Sequence, residues 1–144
     1  FLRLADSICL AMPIGLGLVR IGNFLNGELY GRPTDGTWGF IFPTDPYGFA
    51  RHPSQLYEAF FEGLVLFILL MFVSAKNNKH GVISGTFLLA YGLIRFFIEY
   101  FRQPDSHMGF VALQLSMGQL LSIPMVIIGL ILLRKSLRRN EAIS

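Results

Sequence analysis

The chain has 144 residues, 53% of them apolar, 14% aromatic and only 15% charged, whereas an ordinary soluble domain carries about 25% charged residues. A mean hydropathy of +0.54 and apolar residues gathered in long blocks argue against a soluble globular domain. The net charge of +3 does not imply a nucleic-acid partner, because the basic residues lie mostly between apolar runs, where membrane topology accounts for them.

The predicted fold class is an all-α polytopic membrane protein with about four transmembrane helices. Phe1 is not a methionine, and no basic n-region or cleavage site follows it, so the chain is expected to be part of a longer protein. Residues 1–144 are read as one membrane domain.

The first predicted helix runs roughly from Leu4 to Val19, with Asp6 near its start and Pro13, Gly15 and Gly17 inside. The stretch 23–54 follows, rich in Gly, Pro, Asn, Asp and aromatic residues, and reads as a turn-rich folded insert. Its Trp38, Phe40, Phe42 and Tyr47 suit the level of lipid headgroups. The second helix runs roughly from Gln55 to Ala75, with Glu58 and Glu62 early and a purely apolar second half. The third runs from Val82 to Phe101 and holds Arg95 and Glu99. The fourth runs from Met117 to Leu133, with Pro124 inside. Each is near the ~20 residues that cross a bilayer. Cys9, the only cysteine, lies in an apolar stretch and reads as a small packing residue.

Lys76 and Lys79 follow the second helix, and Arg134, Lys135, Arg138 and Arg139 follow the fourth. The positive-inside rule places those two stretches, and the C-terminus, in the cytoplasm. The insert and the loop 102–116 are then extracytoplasmic.

Four constellations bear on chemistry. Arg20-Ile-Gly-Asn23-Phe-Leu-Asn26-Gly-Glu28-Leu-Tyr-Gly31-Arg32 begins where the first helix reaches the outer interface. A guanidinium there can grip a phosphate with two parallel bonds, and asparagines can serve a glycerol backbone or an ester carbonyl. The alternative is an interfacial anchor followed by an ordinary Asn/Gly turn. In Arg51-His52-Pro53-Ser54-Gln55-Leu56-Tyr57-Glu58, Pro53 suits the first turn of a helix and His52 sits beside its N-terminus. A helix cap with polar interfacial residues explains this segment equally well.

Tyr91, Arg95 and Glu99 recur every four residues and line one helix face. Opposite charges within a membrane span face the protein interior and pair. That pairing can serve function or only helix packing. The fourth constellation, Arg102-Gln103-Pro104-Asp105, reads as solvated loop charge. No phosphate-binding glycine loop, zinc motif or Ser-His-Asp order is present, and His80 and His107 lack ligand partners, so neither a metal nor a cofactor is expected.

The run RIGNFLNGELYGR resembles the signature of the prolipoprotein diacylglyceryl transferases, roughly Gly-Arg-x-Gly-Asn-Phe-x-Asn-x-Glu-x-x-Gly. Val19 replaces its leading glycine. Arg20, Gly22, Asn23, Phe24, Asn26, Glu28 and Gly31 meet the other positions. The blocks RHPSQLYEA, YGLIRFFIEYFRQPD and SMGQLLSIPM are similar to later family segments in the same order. The resemblance implies transfer of the diacylglyceryl group of phosphatidylglycerol to a cysteine thiol of a prolipoprotein signal peptide, with release of glycerol phosphate, in the bacterial cytoplasmic membrane. It implies Arg20, Arg95, Tyr91 and Glu99 as catalytic residues. For substrate binding it implies Arg20, Asn23, Asn26 and Glu28, with Gly31 as a required backbone position; His52, beside the helix N-terminus, joins the substrate-binding candidates on local grounds. The family also carries an upstream His-Gly-Gly motif to which nothing here corresponds, so this chain alone is expected to be inactive. Two other readings compete: a transporter subunit lined by Arg95 and Glu99, and a lipid-binding scaffold without turnover.

Overall fold

The computed structural model describes residues 1–34, 39–77, 79–101, 110–112 and 115–143. Four helices dominate it. Helix α1 spans Leu2–Asn26, α2 spans Ser54–Lys76, α3 spans Val82–Ile98 and α4 spans Met117–Ile143. Three of them contain stretches long and apolar enough to cross a membrane, and α3 is a shorter apolar helix. The chain is thus an all-α polytopic membrane protein with two small antiparallel ribbons outside the helices. These ribbons pair β1 (Phe40–Ile41) with β2 (Ala50–Arg51) and β3 (Phe110–Ala112) with β4 (Leu115–Ser116).

Helix α1 runs on past Val19 through Asn26 and ends in a left-handed Gly27, whose N–H donates to the carbonyls of Asn23 and Phe24. Its lipid-suited exterior shows in exposed Leu4, Ile8, Leu18 and Leu25. Asp6 points inward instead. It accepts the Gly81 and Ser84 amides at 2.7 and 2.9 Å and the Ser84 hydroxyl at 2.6 Å. One carboxylate on α1 thereby satisfies the orphan donors at the start of α3, as an N-cap does within a single helix.

The core lies at the crossing of the first three helices. Leu66, Leu70 and Phe87 are buried at its centre, with Cys9, Leu10, Leu16 and Tyr91 packed against them. Cys9 therefore sits in the apolar packing position that its sequence neighbours suggest. Where α1 meets α2, Gly17 and Gly63 touch backbone to backbone; a Cβ on Gly63 would lie 2.9 Å from the Gly17 Cα. Close approach of this kind is how membrane helices gain packing without a hydrophobic drive. Helices α3 and α4 associate similarly: a Cβ on Gly129 would meet the Leu89 amide nitrogen at 2.5 Å.

At the Gly17–Gly63 crossing, α2 widens into a π-helical stretch, Ala59–Val65. Such stretches are rare and concentrate at functional sites. This one begins directly after Glu58 and contains Glu62.

The beginnings of α1 and α3 share one end of the bundle, joined by Asp6. The segment after α1 meets the ends of the opposite side, because Arg32 N–H donates to the Phe101 carbonyl at 2.8 Å. The helices therefore alternate in direction. Lys76, Lys79, Lys135 and Arg138 gather at the end opposite the insert, where Lys79 Nζ reaches the Leu137 carbonyl at 3.4 Å.

The insert packs down on α1. Phe42 is buried rather than at a headgroup level, edge-on to Phe24 at 5.9 Å and stacked on Tyr30 at 5.5 Å. Phe40 and Tyr47 are exposed, and Trp38 lies outside the described residues. Arg51 holds the insert together. Its Nε donates to Asp45 Oδ2 at 2.6 Å, its Nη1 to the Gly31 carbonyl at 3.3 Å, and its guanidinium lies over the Tyr30 ring at 4.7 Å. Both charged partners are buried.

Candidate functional site

Where α1, α2 and α3 meet below the insert, five ionisable side chains converge. Arg20, near the end of α1, places its Nε 2.5 Å from Glu58 Oε2. Arg95 on α3 reaches the same Glu58 oxygen with Nη1 at 3.3 Å, Glu62 Oε1 with Nη1 at 3.5 Å, and Glu99 Oε1 with Nη2 at 3.0 Å. The three carboxylates are almost fully buried, with side-chain exposures of 1%, 0% and 3% for Glu58, Glu62 and Glu99.

Helix geometry explains the convergence. Glu58 and Glu62 are four apart on α2, and Arg95 and Glu99 are four apart on α3, so each pair shares a face. The Arg95–Glu99 contact is the pairing that the stripe predicted. The structure adds that Arg95 is enclosed by three acids rather than one. A single charged side chain at a helix centre costs roughly 2.5–3.5 kcal/mol to insert on biological scales. Five together persist only because they neutralise one another across helices.

The contacts are close but poorly aligned. Neither Glu58 oxygen, neither Glu62 oxygen, nor Arg20 Nε nor Arg95 Nη1 completes a hydrogen bond with good geometry. This is an electrostatic cluster with unused hydrogen-bonding capacity. The two arginines differ sharply. Both terminal nitrogens of Arg95 meet carboxylates, whereas the shortest contact of Arg20 with Glu58 is made by Nε.

The remaining predicted residues occupy two places. Tyr91 lies one turn from Arg95, half-buried and stacked on Phe87 at 5.6 Å. Asn23 lies one turn beyond Arg20 on α1. Asn26 and Glu28 are exposed around the helix end.

Gly31 and His52 meet above the cluster. Gly31 N–H donates to the His52 carbonyl at 2.9 Å, and His52 N–H to the Arg32 carbonyl at 3.0 Å. A Cβ on Gly31 would lie 2.5 Å from the Phe101 carbonyl and 2.6 Å from that of His52, so no other residue fits. His52 Nδ1 is 3.3 Å from the Tyr57 hydroxyl, and its ring packs edge-on against Phe101 at 5.3 Å.

Ser54 and Gln55, fully buried at the start of α2, bond the carbonyls of Leu29 and Glu28 at 3.3 and 2.7 Å. They help hold Leu29 in its left-handed conformation, φ 55. The constellation Arg102-Gln103-Pro104-Asp105 lies outside the described residues.

Glu62 joins the site only through the structure, and Glu58, the last residue of the second constellation, meets both arginines rather than merely ending a polar helix start. The four-residue spacing of these two acids on a span with an apolar second half is the same signal that marked Arg95 and Glu99.

Fold and site together define a multi-pass membrane protein with a buried arginine–carboxylate cluster near one end of its bundle. Sequence comparison supplies the family: a family model described as prolipoprotein diacylglyceryl transferase matches residues 1–134, and the chain belongs to that family. It is 57% identical over 127 residues to the phosphatidylglycerol–prolipoprotein diacylglyceryl transferase of Geobacter sulfurreducens, covering 88% of this chain and 48% of that protein. It is 54% identical over 132 residues to the enzyme of the same name from Pseudoalteromonas translucida, covering 92% and 49%. A third of that name, from Aeromonas hydrophila, is 52% identical over 144 residues, covering 98% and 51%. The chain thus spans about half the length of these relatives.

Proposed function

We propose that this chain carries the phosphate-receiving half of a site that moves the diacylglyceryl group of phosphatidylglycerol to a lipobox cysteine of a prolipoprotein. The observation that carries the reading is the state of Arg20. Glu58 meets it at Nε, and a guanidinium carries two further nitrogens that suit the two oxygens of a phosphate, the bidentate geometry it favours. The relatives' names supply the donor and acceptor classes.

The reaction is a displacement. The acceptor thiol gives its proton to water, from which the released glycerol phosphate can regain it, and the thiolate attacks the glycerol carbon that bears the phosphate ester. A C–S bond forms, the C–O bond breaks, and the electron pair leaves with the phosphate oxygen of glycerol phosphate. Charge builds on that oxygen, so a preorganised cation lowers the barrier. Arg20 supplies it directly. Arg95, held among Glu58, Glu62 and Glu99, contributes positive potential and orients Glu58. Asn23, Asn26 and Glu28 are assigned to the headgroup and glycerol backbone, Tyr91 to the floor of the cluster, and His52 with Gly31 to the roof.

The chain is placed in the bacterial cytoplasmic membrane, with the insert outside and the lysine-rich end and C-terminus in the cytoplasm. Transfer of labelled diacylglyceryl from phosphatidylglycerol to a lipobox peptide, by the chain extended to the length of its relatives, tests the proposal. Lipid binding without transfer would make it a scaffold instead.

A further inference from the structure

The buried cluster holds more acids than arginines among the described residues. Glu58, Glu62 and Glu99 face Arg20 and Arg95, so with all three acids ionised three negative charges meet two positive ones. Guanidinium does not give up its proton in proteins, and only an acid can change the balance. A phosphodiester docking at Arg20 brings a further negative charge to the same place. Four negative charges on two positive ones within a membrane span are not sustained; buried acids neutralise themselves by protonation instead.

The geometry singles out which acid responds. Glu58 is shared by Arg20 at 2.5 Å and Arg95 at 3.3 Å, and Glu99 has the Nη2 edge of Arg95 at 3.0 Å. Glu62 is the least compensated. It is fully buried, its one cationic contact is Arg95 Nη1 at 3.5 Å, and neither of its oxygens accepts a hydrogen bond. The charged and titratable groups around it are Glu58 on its own helix, Arg20 on α1, and Tyr91 and Arg95 on α3. Glu99 lies across the Arg95 guanidinium.

We propose that Glu62 is a positioning residue that takes up one proton when an anionic phosphate docks at the cluster, and so couples lipid binding to protonation. The inference rests on the reading of Arg20 as a phosphate ligand. The proton comes from water and returns to it when the anion leaves; only an O–H bond at Glu62 forms and breaks. Once neutral, Glu62 no longer competes for Nη1 of Arg95, which Glu58 still holds at 3.3 Å, and one acid fewer offsets the arginine charge when the phosphate arrives.

The test uses the chain extended to the length of its relatives, in phosphatidylcholine nanodiscs titrated with phosphatidylglycerol in weak buffer, without acceptor peptide. The wild type is expected to take up about one proton per lipid bound, and its affinity to rise up to tenfold per unit of falling pH while Glu62 is ionised in the empty site. Glu62→Gln is expected to bind phosphatidylglycerol at least as tightly, with neither proton uptake nor the pH slope. Absence of uptake in the wild type, or its persistence in Glu62→Gln, overturns the proposal. If Glu62→Gln does not fold, the wild-type measurement still decides. Arg20→Ala separates the two levels of inference. Should it keep wild-type lipid affinity, the phosphate reading itself fails and the proposal with it. Should it lose affinity while the wild type takes up no proton, only the proposal fails.

Discussion

Glu58 holds Arg20 from behind: Glu58 Oε2 lies 2.5 Å from Arg20 Nε, and the arginine is thereby aimed rather than merely neutralised. Lysine at this position keeps the charge but has no second edge, since its point-like ammonium is consumed by Glu58. Arg20→Lys is expected to insert and accumulate normally, yet to lose at least about 100-fold in diacylglyceryl transfer, or ~2.7 kcal/mol of barrier. Activity within threefold of the wild type would remove Arg20 from the phosphate site.

Arg95 does not stand in a simple pair with Glu99. Had it done so, Arg95→Leu with Glu99→Leu would leave no unpaired charge and be tolerated. With Glu58 and Glu62 also on Arg95, that double change strands two buried carboxylates against Arg20 alone. Breaking a buried ionic arrangement in this way costs about 3–5 kcal/mol. The double variant is expected to lose membrane abundance, and a further Glu62→Gln to restore part of it. Quantifying the folded protein in membranes from the wild type and both variants checks the order; a fully abundant double variant contradicts it.

Gly31 is the tightest backbone position above the cluster. Gly31→Ala would force its methyl against the carbonyls of Phe101 and His52 and open the hydrogen bonds that dock the insert on α2 and α3. Overpacking of this kind costs about 1–3 kcal/mol. A lower thermal midpoint in detergent is expected together with loss of transfer. An unchanged midpoint would mean that the segment relaxes freely.

The insert has its own pH dependence. The Arg51 guanidinium, followed by the Tyr47 amide, holds the Asp45 carboxyl below its usual range against a smaller opposing effect of burial. Because the folded value is depressed, the pair stabilises the insert fully above the unfolded carboxylate range, near 3.8. That stabilisation is lost as pH falls through the folded value. Hydrogen exchange of insert amides is therefore expected to stay flat from about pH 5 to 8 once intrinsic exchange rates are removed, and to accelerate only below about pH 4. Asp45→Asn should show the accelerated exchange already at neutral pH. A wild type that loosens near pH 6 would point to a different group.

Orientation is open to direct measurement. Single cysteines at Lys76 and Arg138 are expected to resist an impermeant thiol reagent in intact cells, and one at Asp45 to react. Labelling of position 76 from outside would invert the assigned topology.

Sequence alone determined the membrane class and the four helices, because hydropathy is local and a bilayer requires ~20 apolar residues wherever the chain crosses; it did not set the ends of α1 and α4, which run on to Asn26 and Ile143 past the apolar stretches. The Tyr91/Arg95/Glu99 stripe was legible for a similar reason: a single helix fixes which residues share a face. What only the tertiary structure decided is how faces from different helices meet. Nothing in the order of residues sets Glu58 between Arg20 and Arg95, which come from elements far apart in the chain. That meeting follows from the Gly17–Gly63 contact and the π-helical widening beside it, which bring α1 and α2 close enough for Arg20 to reach Glu58. The same holds for Asp6 at the start of α3 and for Arg51 paired with Asp45 inside the insert. Each looked like an ordinary polar residue in sequence, because the cost of burying a charge, and the partner that offsets it, exist only once the helices have packed.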